Sequence, residues 1–244
     1  MSLHLDLDGE AVPVRVVHHP RARRITLRVD RADGAVRVTV PCGVPDDEAI
    51  AAAHQRAAWI RARRARAPRP VPFAHGTVVP VFGEPHTIVH HPQGRFGVAR
   101  QGGELAVAGS PEHLPRRVRD HLMREAGDAL RPRVRAYAAE LGCSPGPVRV
   151  REMRSRWGSC SPDGAMRFAW RLVFAPEPVV AYLAAHEVAH LRHLNHNAVF
   201  WATVRAIKPD ADDQRAWLRV NGASLFAYGA ASPPTNGSGS CNCD

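Results

Sequence analysis

A proline-rich stretch at residues 68–72 interrupts the regular patterns of this chain. Proline has no backbone N–H and fixes φ, so closely spaced prolines disrupt both helix interiors and central strands. The stretch therefore predicts a linker between an N-terminal region, residues 1–72, and a longer region, residues 73–228. The last residues, 229–244, are small and polar, and we expect them to form a disordered tail.

The N-terminal region alternates apolar and polar residues between positions 12 and 40, which predicts strands. The alternation is clearest in the segments VPVRVV, RRITLRV and AVRVTV. Arg31-Ala32-Asp33-Gly34 separates the last two segments and predicts a hairpin turn. A single helix over about residues 46–66, capped by Asp46 or Asp47, is expected to follow. These patterns predict a β-rich lobe that also contains a helix.

The longer region mixes strands and helices. VVPVFGEPHTIVHH, FGVAR and ELAVAG predict short strands. Helical periodicity follows over 114–141, where Pro132 predicts a kink or two abutting helices. Residues 147–174 form a second strand-rich block that ends in MRFAWRLVF. A helix opened by Pro176, with apolar positions as far as Leu194, and a last helix over 211–222 complete an α+β chain.

The net charge is +10, and Lys208 is the only lysine, so arginine carries almost all of it. This excess is a weak indication of affinity for nucleic acid or nucleotides, and an arginine-rich solvated surface is the favoured explanation. We find no signal-peptide pattern and no run of the roughly 20 apolar residues that a membrane span needs. The five cysteines are scattered and are interpreted as free thiols. We expect a cytoplasmic protein with no membrane partner.

The chemistry-bearing motif is His186-Glu187-Val188-Ala189-His190, which lies in a helical pattern. Residues i and i+4 share one helix face, so His186 and His190 can bind the same ion. Glu187 is rotated by about a third of a turn, which places its carboxylate beside the ion. There it can accept a proton from zinc-bound water. The motif predicts a zinc-dependent hydrolase. The alternative is a helix without a metal site, in which the histidines face solvent.

Two further histidines compete for the place of the third ligand. His196 follows His190 at the sixth position, which is the spacing of the metzincins. His193 shares the helix face, but it lies about 10.5 Å from His186 along the axis, which suits a tetrahedral site poorly. We therefore favour His196, with Asn195 turning the chain in the left-handed conformation that asparagine tolerates. His193 is then expected to contact the substrate or to support a ligand.

The order of these motifs resembles that of the YgjP-like metallopeptidase family, which is similar in motif to SprT-type zinc peptidases. The resembling segments are Arg154-Ser155-Arg156-Trp157-Gly158-Ser159-Cys160, Trp170-Arg171-Leu172, His186-Glu187-Val188-Ala189-His190-Leu191, Asn195-His196 and Phe200-Trp201. The resemblance covers about residues 12–226. It implies a zincin-like C-terminal lobe in which His186, His190 and His196 bind one zinc ion. It also implies that Glu187 is the catalytic base.

The segment from Arg154 to Cys160 allows two interpretations. In the first, it is an edge strand beside the metal helix, where its backbone pairs with an extended peptide and Gly158 allows close approach. Arg154 or Arg156 would then stabilise a developing oxyanion. In the second, the strand is structural, Trp157 belongs to the core and the arginines are solvated. Both interpretations stay open on the sequence.

The expected function is hydrolysis of a peptide or protein substrate by a zinc-bound water that Glu187 activates. Two alternatives remain: metal-dependent hydrolysis of a nucleotide phosphoanhydride, and a nucleic-acid-associated protein with a structural metal or DNA-directed proteolysis. The expected fold is an α+β chain with an N-terminal β-rich lobe. Its C-terminal zincin-like lobe carries the HExxH helix.

Overall fold

The structure is a computed structural model, and it describes residues 3–7, 9–30, 34–65 and 68–230. Within these ranges the chain forms six α-helices and eleven strands, arranged in three small sheets. The mixed α+β class is therefore as predicted. The chain divides into two compact units, one of Met1–Pro72 together with Ala230–Asp244 and the other of Phe73–Gly229. Most of the predicted tail, residues 231–244, lies outside the described residues.

The first unit contains a four-stranded sheet in the order β1-β2-β4-β3. Its strands are β1 (Leu3–Leu7), β2 (Glu10–His18), β3 (Thr26–Val29) and β4 (Val36–Val40). β2 and β4 are parallel, and the other two pairs are antiparallel. Alternate valines bury one face, as the period of two requires. The three predicted strands are present, and β1 was not predicted. Residues 31–33 of the hairpin turn predicted over 31–34 lie outside the described residues.

Two helices occupy the segment for which one helix was predicted. They are α1 (Asp46–Gln55) and α2 (Ala57–Ala65), separated at Arg56, whose φ of −106° and ψ of 16° end the first helix. The predicted aspartate cap is also wrong. Pro45 occupies the N-cap position and the acidic residues fall in the first turn, where they complement the helix dipole.

The second unit begins with a four-stranded sheet in the order β5-β6-β8-β7. Its strands are β5 (Val78–Val81), β6 (Glu84–His91), β7 (Val98–Gln101) and β8 (Glu104–Ala108). All four strands fall in segments where strands were predicted. β6 and β8 are parallel, and the sheet packs against the long helix that follows.

That helix, α3 (Leu114–Glu140), is one continuous element with Pro132 inside it, so of the two predicted alternatives the pair of abutting helices is wrong. Pro132 is exposed, and the guanidinium of the next residue, Arg133, donates a hydrogen bond to the Ala129 carbonyl at 2.6 Å. The buried apolar face of α3 favours a continuous helix over the local proline penalty. Gly142 follows the end of the helix, with a left-handed φ of 63°.

A third sheet, in the order β10-β11-β9, follows α3. Its strands are β9 (Val148–Arg151), β10 (Gly158–Cys160) and β11 (Met166–Ala169). The strand predicted through residue 174 stops at Ala169, and Trp170–Phe174 is a 3-10 helix. All five residues of this 3-10 helix are buried, whereas a strand would point successive side chains to opposite faces.

Three helices complete the second unit: α4 (Glu177–Ala189), α5 (Ala198–Ile207) and α6 (Ala211–Asn221). α4 is buried against α3, α5 and α6. Its predicted extension to Leu194 is wrong, because the helix ends at Ala189 and Leu194 is 66% exposed. α5 was not predicted, and α6 confirms the last predicted helix. Among the described helices, none has both the length and the apolar character that crossing a membrane requires.

Candidate metal centre

Three histidine side chains converge where α4 ends. His186 lies in the last turn of α4, His190 is the C-cap residue, and His196 lies in the loop before α5. Their ligand atoms all lie within 4.8 Å of one another, and the Nε2 atoms of His186 and His196 are 3.1 Å apart. Two nitrogens bound to one zinc ion in tetrahedral geometry would lie about 3.3 Å apart. The observed spacing therefore fits two ligands of a single ion.

The loop between α4 and α5 turns the chain without a left-handed asparagine. Among the described residues, Phe82 is the only non-glycine residue with a positive φ, so the prediction for Asn195 is wrong. The amide of His193 instead donates to the carbonyl of Ala189 at 3.0 Å, and the amide of Asn197 donates to the carbonyl of Asn195 at 2.8 Å. The change in chain direction that was expected at one residue is therefore stabilised by several backbone hydrogen bonds.

His190 is oriented by a carbonyl of the same loop. Its Nδ1 lies 3.0 Å from the backbone oxygen of His193. Because a carbonyl only accepts hydrogen bonds, Nδ1 is the donor and Nε2 keeps its lone pair for a metal ion. The ring of His193 is not part of the histidine cluster. His193 thus supports a ligand position through its backbone.

Aromatic rings of α5 hold the exposed member of the cluster. Trp201 stacks on His196 with ring centroids 5.8 Å apart and an interplanar angle of 30°. Phe200 is fully buried, and its ring lies 4.7 Å from that of His196. Phe200 also contacts the rings of His186 and His190. Although His196 belongs to a loop, its ring is therefore packed against a helix.

Burial keeps the first two histidines neutral. It lowers the pKa of His186 to about 3, with smaller contributions from the charges of His190 and His196. Burial also lowers the pKa of His190. Neutral imidazole is the form that binds a metal ion. Within the described part of the chain, the Nδ1 of His186 is buried and has no hydrogen-bond partner.

Glu187, which follows His186 in α4, carries a buried carboxyl group. It is 3% exposed, and its Oε2 has no hydrogen-bond partner among the described residues. Burial raises the pKa of this carboxyl to about 8, and the positive charge of Arg156 opposes that shift. Such a group is poised to exchange a proton near neutral pH.

Gly158 makes room for this carboxyl. A Cβ at Gly158 would lie 2.3 Å from Oε1 of Glu187, far closer than van der Waals contact allows. The backbone of β10 therefore passes directly against the carboxylate. β10 is an edge strand that pairs only with β11 among the described strands.

For the segment from Arg154 to Cys160, each of the two interpretations holds for some residues and not for others. Trp157 packs against the core, with its ring 5.1 Å from that of Phe226. Arg154 and Arg156 are exposed. The charge of Arg154 acts on the carboxyl of Glu152, and that of Arg156 acts on Glu187. The edge strand is present and Trp157 is structural, while only Arg156 has its charge directed at the predicted base.

Three contacts of the second unit were not predicted from the sequence. Glu152 accepts a hydrogen bond from Trp170 Nε1 at 2.8 Å and forms an ion pair with the buried guanidinium of Arg171. This pair offsets the cost of burying the arginine and joins the chain before β10 to the 3-10 helix. The guanidinium of Arg215 lies 4.1 Å from the ring centroid of Trp201. Trp170, Arg171 and Trp201 belong to motifs that the family resemblance pointed to, whereas Glu152 and Arg215 had no signal in the sequence.

Comparison with known proteins agrees with this site. The family model described as YgjP-like, metallopeptidase domain, matches residues 23–221, which include every residue of the histidine cluster and Glu187. No curated protein and no solved structure matches the chain. The family match confirms the resemblance seen in the motifs and supports metal-dependent hydrolysis. With most of its length matched, the chain belongs to the YgjP-like metallopeptidase family.

Proposed function

We propose that the protein is a zinc-dependent peptidase. His186, His190 and His196 would hold the ion, and Glu187 would be the general base. The convergence of three imidazoles beside a buried carboxyl carries this proposal. A cluster of nitrogen donors suits zinc, whereas magnesium and calcium prefer oxygen ligands.

In this proposal the protein's own groups move the proton. When bound, zinc would polarise the scissile carbonyl and make a water molecule acidic near neutral pH. Oε2 of Glu187 accepts the proton of the attacking water and passes it to the leaving amine nitrogen, which regenerates the carboxylate. Because this oxygen has no other hydrogen-bond partner among the described residues, nothing in that part of the chain competes for the proton.

The edge of β10 favours a peptide as the substrate. An extended peptide can add to the edge of a sheet through main-chain hydrogen bonds. Such a peptide would lie alongside Gly158, against which the Glu187 carboxylate packs. Arg156, whose charge reaches the same carboxylate, would stabilise negative charge that develops on the scissile carbonyl oxygen. Hydrolysis of a nucleotide phosphoanhydride is the competing outcome.

The test is the substitution Glu187→Gln, which keeps the shape of the side chain and removes the base. We expect the variant to bind zinc like the wild type and to cleave an unfolded protein about 10²- to 10⁴-fold more slowly. Glu104→Gln, at an exposed position, is the matched control. Metal content is measured on the purified proteins, and cleavage is followed on gels.

Three outcomes would overturn the proposal. Full activity of Glu187→Gln would contradict the assignment of Glu187 as the base. Failure of the wild-type protein to bind zinc would contradict the metal site. If the wild type hydrolyses nucleoside triphosphates and does not cleave protein, the substrate is a nucleotide and not a peptide.

A further inference from the structure

The solvent face of the N-terminal sheet carries three arginines side by side. Arg28 on β3 lies directly opposite Arg37 on β4, and Arg37 lies directly opposite Arg15 on β2. All three side chains are exposed. Neighbouring strands are about 4.7–4.9 Å apart, so the three positions span about 10 Å across the sheet. We call Arg15, Arg28 and Arg37 the arginine row.

The stability of the sheet does not explain this row. Like charges directly opposite one another destabilise a sheet. Within the part of the chain that the structure describes, neither Arg28 nor Arg37 has a side-chain ion pair, whereas Arg15 takes part in an interaction of its own. The opposite face of the same strands is buried core. Arg28 and Arg37 therefore occupy positions at which a small polar residue would cost less.

The surroundings of the row add positive charge. Arg21, Arg23 and Arg24 are exposed in the segment that leads into β3. The acidic residue Asp6 lies on the edge strand β1. It pairs with Ala11 of β2, which is four residues away from Arg15 on that strand. Its Oδ1 already accepts a hydrogen bond from Gly9 at 2.8 Å.

The other side chains on this face indicate what it binds. Thr26, Thr39 and Val17 occupy the next outward positions beside the row, and none of the described outward positions of β2, β3 and β4 is aromatic. Surfaces that bind single strands stack bases on aromatic rings, which this face lacks. Arginine and hydroxyl groups without a stacking platform are suited to the phosphates of a duplex. Domains that bind double-stranded RNA contact 2′-hydroxyl groups as well as phosphates, across about 16 base pairs. The arginine row is about 10 Å wide and offers chiefly phosphate contacts, which favours DNA.

We propose that the arginine row binds the phosphate backbone of double-stranded DNA without reading its sequence. Each phosphate contact releases condensed counterions, so affinity falls as salt rises. This activity belongs to the unit that does not contain the histidine cluster. It is separate from the proposed peptidase and can fail or succeed independently of it.

The test measures binding of the full chain to a labelled DNA duplex of arbitrary sequence by fluorescence anisotropy at several salt concentrations. The double variant Arg28→Gln with Arg37→Gln removes two phosphate contacts. We expect weaker binding and a slope of log affinity against log salt that is shallower by about 1.8, at about 0.9 per contact. The control, Arg95→Gln with Arg135→Gln, removes the same charge from exposed positions of the other unit and should bind like the wild type.

A second double variant distinguishes an effect of lost charge from an effect of disturbed folding. Arg28→Lys with Arg37→Lys keeps both charges and should retain the wild-type salt slope. The proposal is overturned if the wild type does not bind DNA at about 50 mM salt, or if the glutamine variant binds like the control. Tighter binding of a single strand, or of duplex RNA, would also overturn the assignment to duplex DNA.

Discussion

At the residue scale, Gly158 contributes to the site by lacking a side chain. Since a Cβ there would lie 2.3 Å from Oε1 of Glu187, Gly158→Ala forces the carboxylate or β10 to move. A displacement of about 1 Å at a catalytic group can cost about 10²-fold in rate. We expect kcat/KM to fall by about 10- to 100-fold with zinc content unchanged. Peptide cleavage and metal analysis measure the two quantities.

The control for this variant is Gly97→Ala. A Cβ at Gly97 meets no atom within 4 Å, and its φ lies outside the left-handed range. Gly97→Ala should therefore leave activity unchanged. Wild-type activity in Gly158→Ala would contradict the close packing of β10 on the carboxylate.

Also at the residue scale, the structure distinguishes the two candidates for the third ligand. His196 contributes its ring to the cluster, whereas His193 contributes its carbonyl to His190. His196→Ala should weaken zinc binding by more than about 100-fold, the upper range for losing an outer partner of a metal site. His193→Ala keeps its backbone and should bind zinc almost as the wild type does. Competition with a chelating dye measures both affinities, and a larger loss in His193→Ala would reverse the assignment.

At the scale of elements, an ion pair joins β7 to α3. Arg100 Nε lies 3.0 Å from Oε1 of Glu125, and His121 Nε2 lies 3.2 Å from the same oxygen. Burial acts to raise the pKa of Glu125, but the close contact with His121 and the hydrogen bond and charge of Arg100 outweigh it and hold the pKa at about 2. The pKa is thus lower in the folded chain than in the unfolded chain.

A lowered carboxyl pKa stabilises the fold above the unfolded-state pKa. That contribution is complete above about pH 5 and is lost as the pH falls towards 2. We expect Glu125→Gln to lower the free energy of unfolding by about 2 kcal/mol at pH 7 and by much less at pH 3. Urea unfolding at the two pH values measures the difference. Glu140→Gln, at an exposed position of α3, is the control, and a difference independent of pH would contradict the ion pair.

At the scale of the whole molecule, the two proposed activities belong to different compact units. The histidine cluster and Glu187 lie in Phe73–Gly229, and the arginine row lies in the N-terminal unit. The family match starts at residue 23, so it includes Arg28 and Arg37 but not Arg15. Variants of one unit can therefore be used as controls for the activity of the other.

The sequence by itself was enough to predict the features that depend on neighbours along the chain. Helical periodicity put His186 and His190 within reach of one ion, because four residues make about one turn. Alternation predicted most of the strands for the same local reason. The helix α5 was missed although Asn197 is a typical N-cap and accepts a hydrogen bond from the Phe200 amide at 2.9 Å.

Tertiary structure decided the features that join distant segments. The contact of Gly158 with Glu187 and the ion pair of Arg171 with Glu152 depend on how separate segments pack. The arginine row exists only because the register of β2, β3 and β4 aligns its members. Local propensity also failed at Pro132, where the buried face of α3 keeps one helix. Burial and register are collective properties of the folded chain, so no local pattern could have predicted them.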